Sequence, residues 1–286
     1  MLYQISHTTT YTYDRSVILQ PHTIRLRPRS NGWQTLKMFS ILVSPIVQSQ
    51  SDIIDLDGNA LIKVWFPSEP TDFLEIQVLS QVATHQSNPF NYLVEPWAIQ
   101  FPIEYPHSVL QQLQSYLLGY SLAGIDPIAF SLAQEIAEET GGSVTQFLNE
   151  LNQRLYQGCE YVIRETGNPF PPGRTWIEKT GSCRDLTVLF IEVCRSIGLA
   201  ARFVSGYQEG DLDSLERHLH AWAEVYLPGA GWRGYDPTHG LAVSDRHIAL
   251  AASAIPNYAA PVSGSVSCLG GVRSQIKYDL QIQRLD

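Results

Sequence analysis

Residues 178–207 read EKTGSCRDLTVLFIEVCRSIGLAARFVSGY: a small polar approach, an apolar helix, a glycine stop and a β-branched strand. Ser182 and Asp185 stand in the S-x-x-D spacing of a short capping box, which makes Cys183 the first helical residue. The helix is expected over Cys183 to Ile197, ending at Gly198. A thiol at that position faces unpaired backbone N–H groups and the positive end of the helix dipole, and both favour a thiolate. The same N–H groups suit an oxyanion once the sulfur has attacked a carbonyl. Cys194 is the internal comparison: it lies eleven residues on, about three turns down nearly the same face. Its neighbours are apolar, so it reads as core. On this stretch alone Cys183 can be a nucleophile or an ordinary residue of a capped helix, since a capping box does not require chemistry.

The chain has 286 residues, enough for one large domain or two ordinary ones. Hydrophobic residues make up 44% and charged residues 16%, which allows a sizeable core and argues against disorder. A formal net charge of -9 and the lack of a basic tract speak against a nucleic-acid partner. The longest apolar stretch, Leu186 to Cys194, is too short to cross a bilayer. The opening MLYQISHTTTYTYDRS has neither the basic nor the apolar region of a signal peptide. Cys159, Cys183, Cys194 and Cys268 form no CxxC pair and are too few for a disulfide scaffold. These features predict a soluble, cytoplasmic protein with free thiols and no membrane partner.

The first hundred residues have β character. YQISHTTTYTYD alternates, TIRLRP, LKMFSILVSP and FLEIQVLSQVAT have strand composition, and Asp57-Gly58-Asn59 sits between two β-branched runs as a hairpin turn. A small sandwich is expected there. A connector rich in proline and aromatics follows over 88–106, and then helices. Val109, Leu110, Leu113, Tyr116 and Leu117 form a helical stripe. Asp126-Pro127 is an N-cap with proline at the first helical position, and that helix should stop at Gly141-Gly142. Ser143 and Gln146 make a capping-box pattern before the stripe Phe147, Leu148, Leu151, Leu155. RETGNPFPPGRT reads as a loop. HAWAEVYLPGAGWRGYDPT reads as two strands around a Pro-Gly-Ala-Gly turn, and VRSQIKYDLQIQRL as a last strand.

A thiolate nucleophile needs a base and a group that orients the base. His7, His22, His85, His107 and His247 carry no distinguishing pattern, whereas His218 and His220 open the strand that leads into the hairpin. A turn at 228–231 brings His220 and Asp236 to one end, a few residues out of register, so a bulge or a diagonal contact has to join them. Asp236 could then hold the imidazole tautomer. Trp222 and Trp232 could exclude water nearby, though core packing is the ordinary role of each. Glu224 and Arg184 could be functional, though a solvated strand or helix position is the ordinary role of each. His218 competes with His220 as base, and the H-x-H pair with Cys183 could instead ligate zinc, although no second cysteine stands at ligand spacing.

With these motifs in order, GSCRDLTVLFIEVCRSIGLAARFVSGY and then HAWAEVYLPGAGWRGYDPT, the sequence resembles the bacterial transglutaminase-like superfamily, often described as candidate cysteine proteases. The motifs cover about residues 145–240. The first hundred residues resemble the β-rich region that commonly precedes this core. The resemblance implies an α+β, papain-like core of helices packed on an antiparallel sheet, behind an N-terminal β-sandwich-like domain. The boundaries implied are 1–100 and 101–286. Carried over by residue, Cys183 matches the nucleophile, His220 the base and Asp236 the orienting acid. No metal or other cofactor is implied. The calcium-dependent animal branch has no EF-hand counterpart here. Trp176, upstream of Cys183, is a guess for the second oxyanion donor, with packing the alternative.

The expected function is thiol-dependent acyl transfer on a peptide or protein substrate. Hydrolysis is favoured over transamidation, because many members of the superfamily resemble hydrolases. A binding module that has lost catalysis and a zinc protein are the rivals. No residue pattern speaks to oligomeric state.

Overall fold

A computed structural model describes residues 1–121, 124–164, 166–210 and 219–285. Its first half is built from β1 (Leu2–Leu19), β2 (His22–Ile24), β3 (Gln34–Ser44), β4 (Ser49–Ile54), β5 (Ala60–Trp65) and β6 (Thr71–Thr84). The alternation read in the sequence is the alternation of burial: Tyr3, Ile5, His7 and Thr9 of β1 all point inward. The hairpin sits where Asp57-Gly58-Asn59 placed it, with Ile54 paired to Ala60 and Gly58 at φ 74°. Asp55 shapes that turn by accepting the N–H groups of Asp57 and Asn59.

Helices α1 (His107–Leu117), α2 (Pro127–Glu139) and α3 (Val144–Gly158) follow. Asp126 caps α2 as expected, accepting the N–H groups of Ile128 and Ala129. Ser143 is the N-cap of α3 but makes no side-chain cap bond, so that box is not formed. The α3 stripe is buried as expected, while the α1 stripe buries only Leu113. The segment read as a Pro/Gly loop contains a short helix, α4 (Pro172–Glu178), because Pro172 supplies a helical φ at the first turn. It lies between β7 (Glu160–Tyr161) and β8 (Thr180–Gly181), which pair in parallel just ahead of α5 (Cys183–Ser196).

The remaining strands are β9 (Ala201–Gln208), β10 (Leu219–Leu227), β11 (Gly231–Asp236), β12 (Leu241–Ala242), β13 (His247–Ser253), β14 (Val262–Ser263), β15 (Val266–Ser267) and β16 (Ser274–Arg284). One antiparallel sheet has the order β12-β11-β10-β9-β13. The sequence reading did not identify β13, whose small residues Ala249, Ala251, Ala252 and Ser253 carry little strand signal by themselves. Helix α5 lies on this sheet, and its Leu189, Phe190, Val193 and Cys194 share a core with Phe203, Ala221, Ala223, Val225 and Leu227. The fold is therefore α+β, with a papain-like core of helices on an antiparallel sheet behind a β-rich region.

The N-terminal region forms two sheets, β15-β1-β6-β3 with β16 added on β1, and β14-β2-β5-β4. Their shared core includes Ile5, Ile24, Ile62 and Ile76, together with Tyr207, Ile248 and Leu250 from the papain-like sheet. The two halves thus share one apolar interior. Polar contacts reinforce the seam: Asn59 accepts the N–H of Ala252 at 2.9 Å and donates to its carbonyl at 2.8 Å. The last strand of the chain, β16, returns to pair with β1 over Tyr3–Tyr13.

Candidate active site

Cys183 is the first residue of α5 and is nearly buried. Ser182 is the N-cap. Asp185 closes the box from the carboxylate side, accepting the Ser182 N–H at 2.8 Å and its hydroxyl at 2.7 Å. The other carboxylate oxygen accepts the Phe170 N–H at 2.6 Å and pairs with Arg164 at 2.5 Å. Asp185 is fully buried, so its four partners replace the water it has lost. Gly181 is required here, because a Cβ there would stand 2.9 Å from that of Asp185. Arg184, read as solvated, instead holds the carbonyls of Arg164 and Gly167. Asp185→Ala leaves three donors without this acceptor and strips the Arg164 guanidinium of its carboxylate. It is expected to cost about 3 kcal/mol of stability, measured by urea unfolding. A loss under about 0.5 kcal/mol, the scale of an ordinary surface substitution, would contradict this account.

The hairpin β10–β11 runs in simple register, with Ala223 opposite Tyr235 and Leu227 opposite Gly231. Continuing that register puts Asp236 opposite Trp222, and His220 is then its diagonal neighbour two residues along the same face. The diagonal contact is realised without a bulge in this pair: His220 Nε2 lies 2.8 Å from Asp236 Oδ2. With Nε2 on the carboxylate, Nδ1 is the nitrogen left for Cys183, whose sulfur is a hydrogen-bond partner of the ring. Burial by itself lowers the pKa of His220. The Asp236 carboxylate and the Cys183 sulfur outweigh it and hold the imidazolium well above its ordinary range. Trp222 is buried against His220 and His247.

Two histidines that the sequence reading did not single out complete the site. His239 Nδ1 lies 2.9 Å and His247 Nε2 3.1 Å from the same Asp236 Oδ2, and Oδ1 accepts the Thr238 N–H at 3.0 Å. His247, which stands in a polar segment of the sequence, is buried at the head of β13. His239 immediately follows the Asp236-Pro237-Thr238 motif, and that adjacency was the available signal. Although burial would raise its pKa, Asp236 is held well below the usual carboxylate range, His220 being the main cause. An ionised carboxylate can only accept, so all three imidazoles donate to it. Ligand atoms of His220, Asp236 and His239 lie within 4.8 Å of one another and could hold a metal ion only by giving up these bonds. His218, the competing base and zinc ligand, lies outside the described residues.

The other singled-out residues go elsewhere. Cys194 is fully buried, and burial raises its pKa well above a free thiol. Trp232 packs on Tyr116 and Tyr226 with Arg202 over its face. Glu224 pairs with Arg202 at 2.7 Å. Trp176 has Lys179 over its ring and joins the helical core, a packing role. Cys183 and His220 share a cavity of about 300 Å³.

Comparison with known proteins agrees with this architecture. Residues 3–83 match the bacterial transglutaminase-like N-terminal region, and residues 131–237 match the transglutaminase-like superfamily. Protein ML0607 of Mycobacterium leprae is 23% identical over 274 residues, 93% of this chain and 94% of its own length. A protein-glutamine gamma-glutamyltransferase of Pseudomonas aeruginosa is 35% identical over 71 residues, 22% of this chain and 11% of its own. The crystal structure of a candidate cysteine protease from Cytophaga hutchinsonii superposes with TM-score 0.73 at 19% identity, covering 100% of this chain and 91% of that one. Both family regions occur in order on one chain whose whole fold is shared with that structure. The chain therefore carries a transglutaminase-like superfamily core over residues 131–237, preceded by a bacterial transglutaminase-like N-terminal region over residues 3–83.

Proposed function

We propose that this chain is a cysteine-dependent acyl-transfer enzyme acting on peptide or amide carbonyls, with Cys183 as nucleophile, His220 as base and Asp236 as orienter. The observation that carries the reading is the pairing of His220 Nε2 with Asp236 Oδ2 at 2.8 Å, which leaves Nδ1 as the ring nitrogen for the Cys183 sulfur. The sulfur's proton rests on His220, whose imidazolium Asp236 stabilises, so the thiolate attacks the carbonyl carbon and the carbonyl electron pair becomes an oxyanion. The Cys183 N–H, one of the first N–H groups of α5 and without an intrahelical partner, faces that charge. His220 then gives its proton to the departing amine as the C–N bond breaks, leaving a thioester on Cys183. Water attacks next and releases a carboxylate, or an amine attacks and forms a new amide.

We take water as the usual acceptor, since a water molecule needs no site of its own. Transamidation is the second reading, favoured by the local similarity to a protein-glutamine gamma-glutamyltransferase. The four free thiols suit a reducing compartment, and we place the enzyme in the cytoplasm. Among the described residues no helix is long and apolar enough to cross a membrane.

Incubation with a peptide pool, with and without an alkyl amine, followed by mass spectrometry, tests both readings. Hydrolysis predicts a thioester adduct on Cys183 and carboxylate products whose yield the amine does not change. If most product carries the amine, transamidation replaces hydrolysis. If peptides bind and no Cys183-dependent product forms, the chain is a binding module.

A further inference from the structure

We propose that the N-terminal region supplies the specificity wall of this site, formed by Thr9 and Tyr11 of β1 with Ile276 and Tyr278 of β16. The wall takes an aromatic or aliphatic side chain of the substrate, next to the attacked carbonyl. The proposal rests on the acyl-transfer reading, because it places the substrate at Cys183.

Register is the first support. Thr9 is directly opposite Tyr278 and Tyr11 directly opposite Ile276, so the four side chains form one continuous patch on one face of the sheet. All four line the cavity that also contains Cys183 and His220. The patch is anchored: Thr9 Oγ1 lies 2.8 Å from His7 Nε2, and His7 Nδ1 lies 2.8 Å from the hydroxyl of Tyr207 on β9, next to the catalytic strand β10. The N-terminal sheet is thereby held against the papain-like sheet by a buried hydrogen-bonded chain as well as by the shared core. Across the cavity Tyr161 and Ile163 extend the apolar lining.

Charge supports the choice of occupant. Among the described residues, the charged side chains lining the cavity apart from His220 are Arg164 and Arg184. Arg164 is paired with buried Asp185 at 2.5 Å, and Arg184 is bound to loop carbonyls, Gly167 among them at 2.7 Å. Among the described residues a charged substrate side chain meets no uncommitted charged partner, and it would lose hydration. An apolar one gains contact with two phenol rings and an isoleucine and leaves water in doing so. Size supports it too, since about 300 Å³ is at the small end of ligand sites and suits one or two residues, not a long segment.

Binding to Cys183→Ala separates this proposal from catalysis. Two otherwise identical uncleaved peptides are titrated by calorimetry, one with phenylalanine and one with glutamate beside the central amide. The phenylalanine peptide is expected to bind at least tenfold tighter. Adding Tyr11→Ala and Tyr278→Ala should erase that preference, whereas Tyr278→Phe should keep it. Thermal unfolding within a few degrees of the parent shows that the sheet is intact. If the double variant fails to fold, the Tyr278→Ala single variant is read instead and should reduce the preference at least threefold. Equal binding of the two peptides, or a preference unchanged in the tyrosine variants, overturns the wall. A preference present in Cys183→Ala without any acyl-enzyme in the parent protein overturns the acyl-transfer reading and leaves the wall standing.

Discussion

Cys183→Ala is expected to lower peptide turnover by at least about 10⁴-fold, because it removes the sulfur on which the proposed covalent intermediate forms. The expected loss falls in kcat, with peptide affinity kept, since the cavity wall opposite the sulfur is untouched. The fair control is Cys194→Ala, on the same helix. Cys194 is fully buried among apolar side chains, so its replacement should cost stability and leave the chemistry intact. The two variants are compared by single-turnover formation of the acyl-enzyme and by urea unfolding. If Cys183→Ala keeps more than about a tenth of the parent rate, the sulfur is not the nucleophile; a change of this size needs only about 1.4 kcal/mol.

Asp236→Asn is expected to lower kcat by about 10³–10⁴-fold while leaving the fold in place. The reason is local geometry. Oδ2 accepts from three imidazoles and Oδ1 from the Thr238 N–H. An amide NH₂ in either place must face a donor. Orienting it towards the histidines also favours the wrong tautomer of His220. The pH profile provides a second readout. In the parent, Asp236 and Cys183 hold His220 protonated above its ordinary value, so the imidazolium is lost only as pH rises through that raised value. In the variant, burial, which lowers the pKa, is no longer opposed by the carboxylate, and the alkaline limb moves to lower pH. A limb that stays in place would show that Asp236 does not set the charge of His220. Stability should respond on the acid side. Asp236 is ionised well below its ordinary value of 3.8, so the parent has its full contribution above that value and loses it as pH falls through the folded pKa. The variant should lack that dependence.

Much of this site was legible along the chain because its signals are local. A cap, a cysteine and an apolar run specify a helix start within a few residues, and Gly198 at φ 87° specifies its end. The hairpin could be placed because Pro228 to Gly231 offers the positive φ values such a turn uses, 85° at Gly229 and 73° at Gly231. The diagonal between His220 and Asp236 follows from counting back from that turn. His247 was not legible, since it reaches Asp236 only because β13 crosses to pair with β9, and no nearby residue encodes that partner. Arg184 was misread for the same reason: its acceptors lie on a loop that the sequence places nearly twenty residues away.

By itself, the sequence determined which helix carries Cys183, which strands carry His220 and Asp236, and in what order. Each of those depends on backbone preferences that act over a turn or a hairpin. The tertiary structure alone decided that three imidazoles converge on one carboxylate oxygen and that β1 and β16 face the cavity. Those contacts join residues as far apart along the chain as Thr9 and Tyr278, or Tyr11 and Ile276, which pair across the wall. They exist because a common apolar core, shared by the N-terminal sheets and β9 and β13, packs the two halves together.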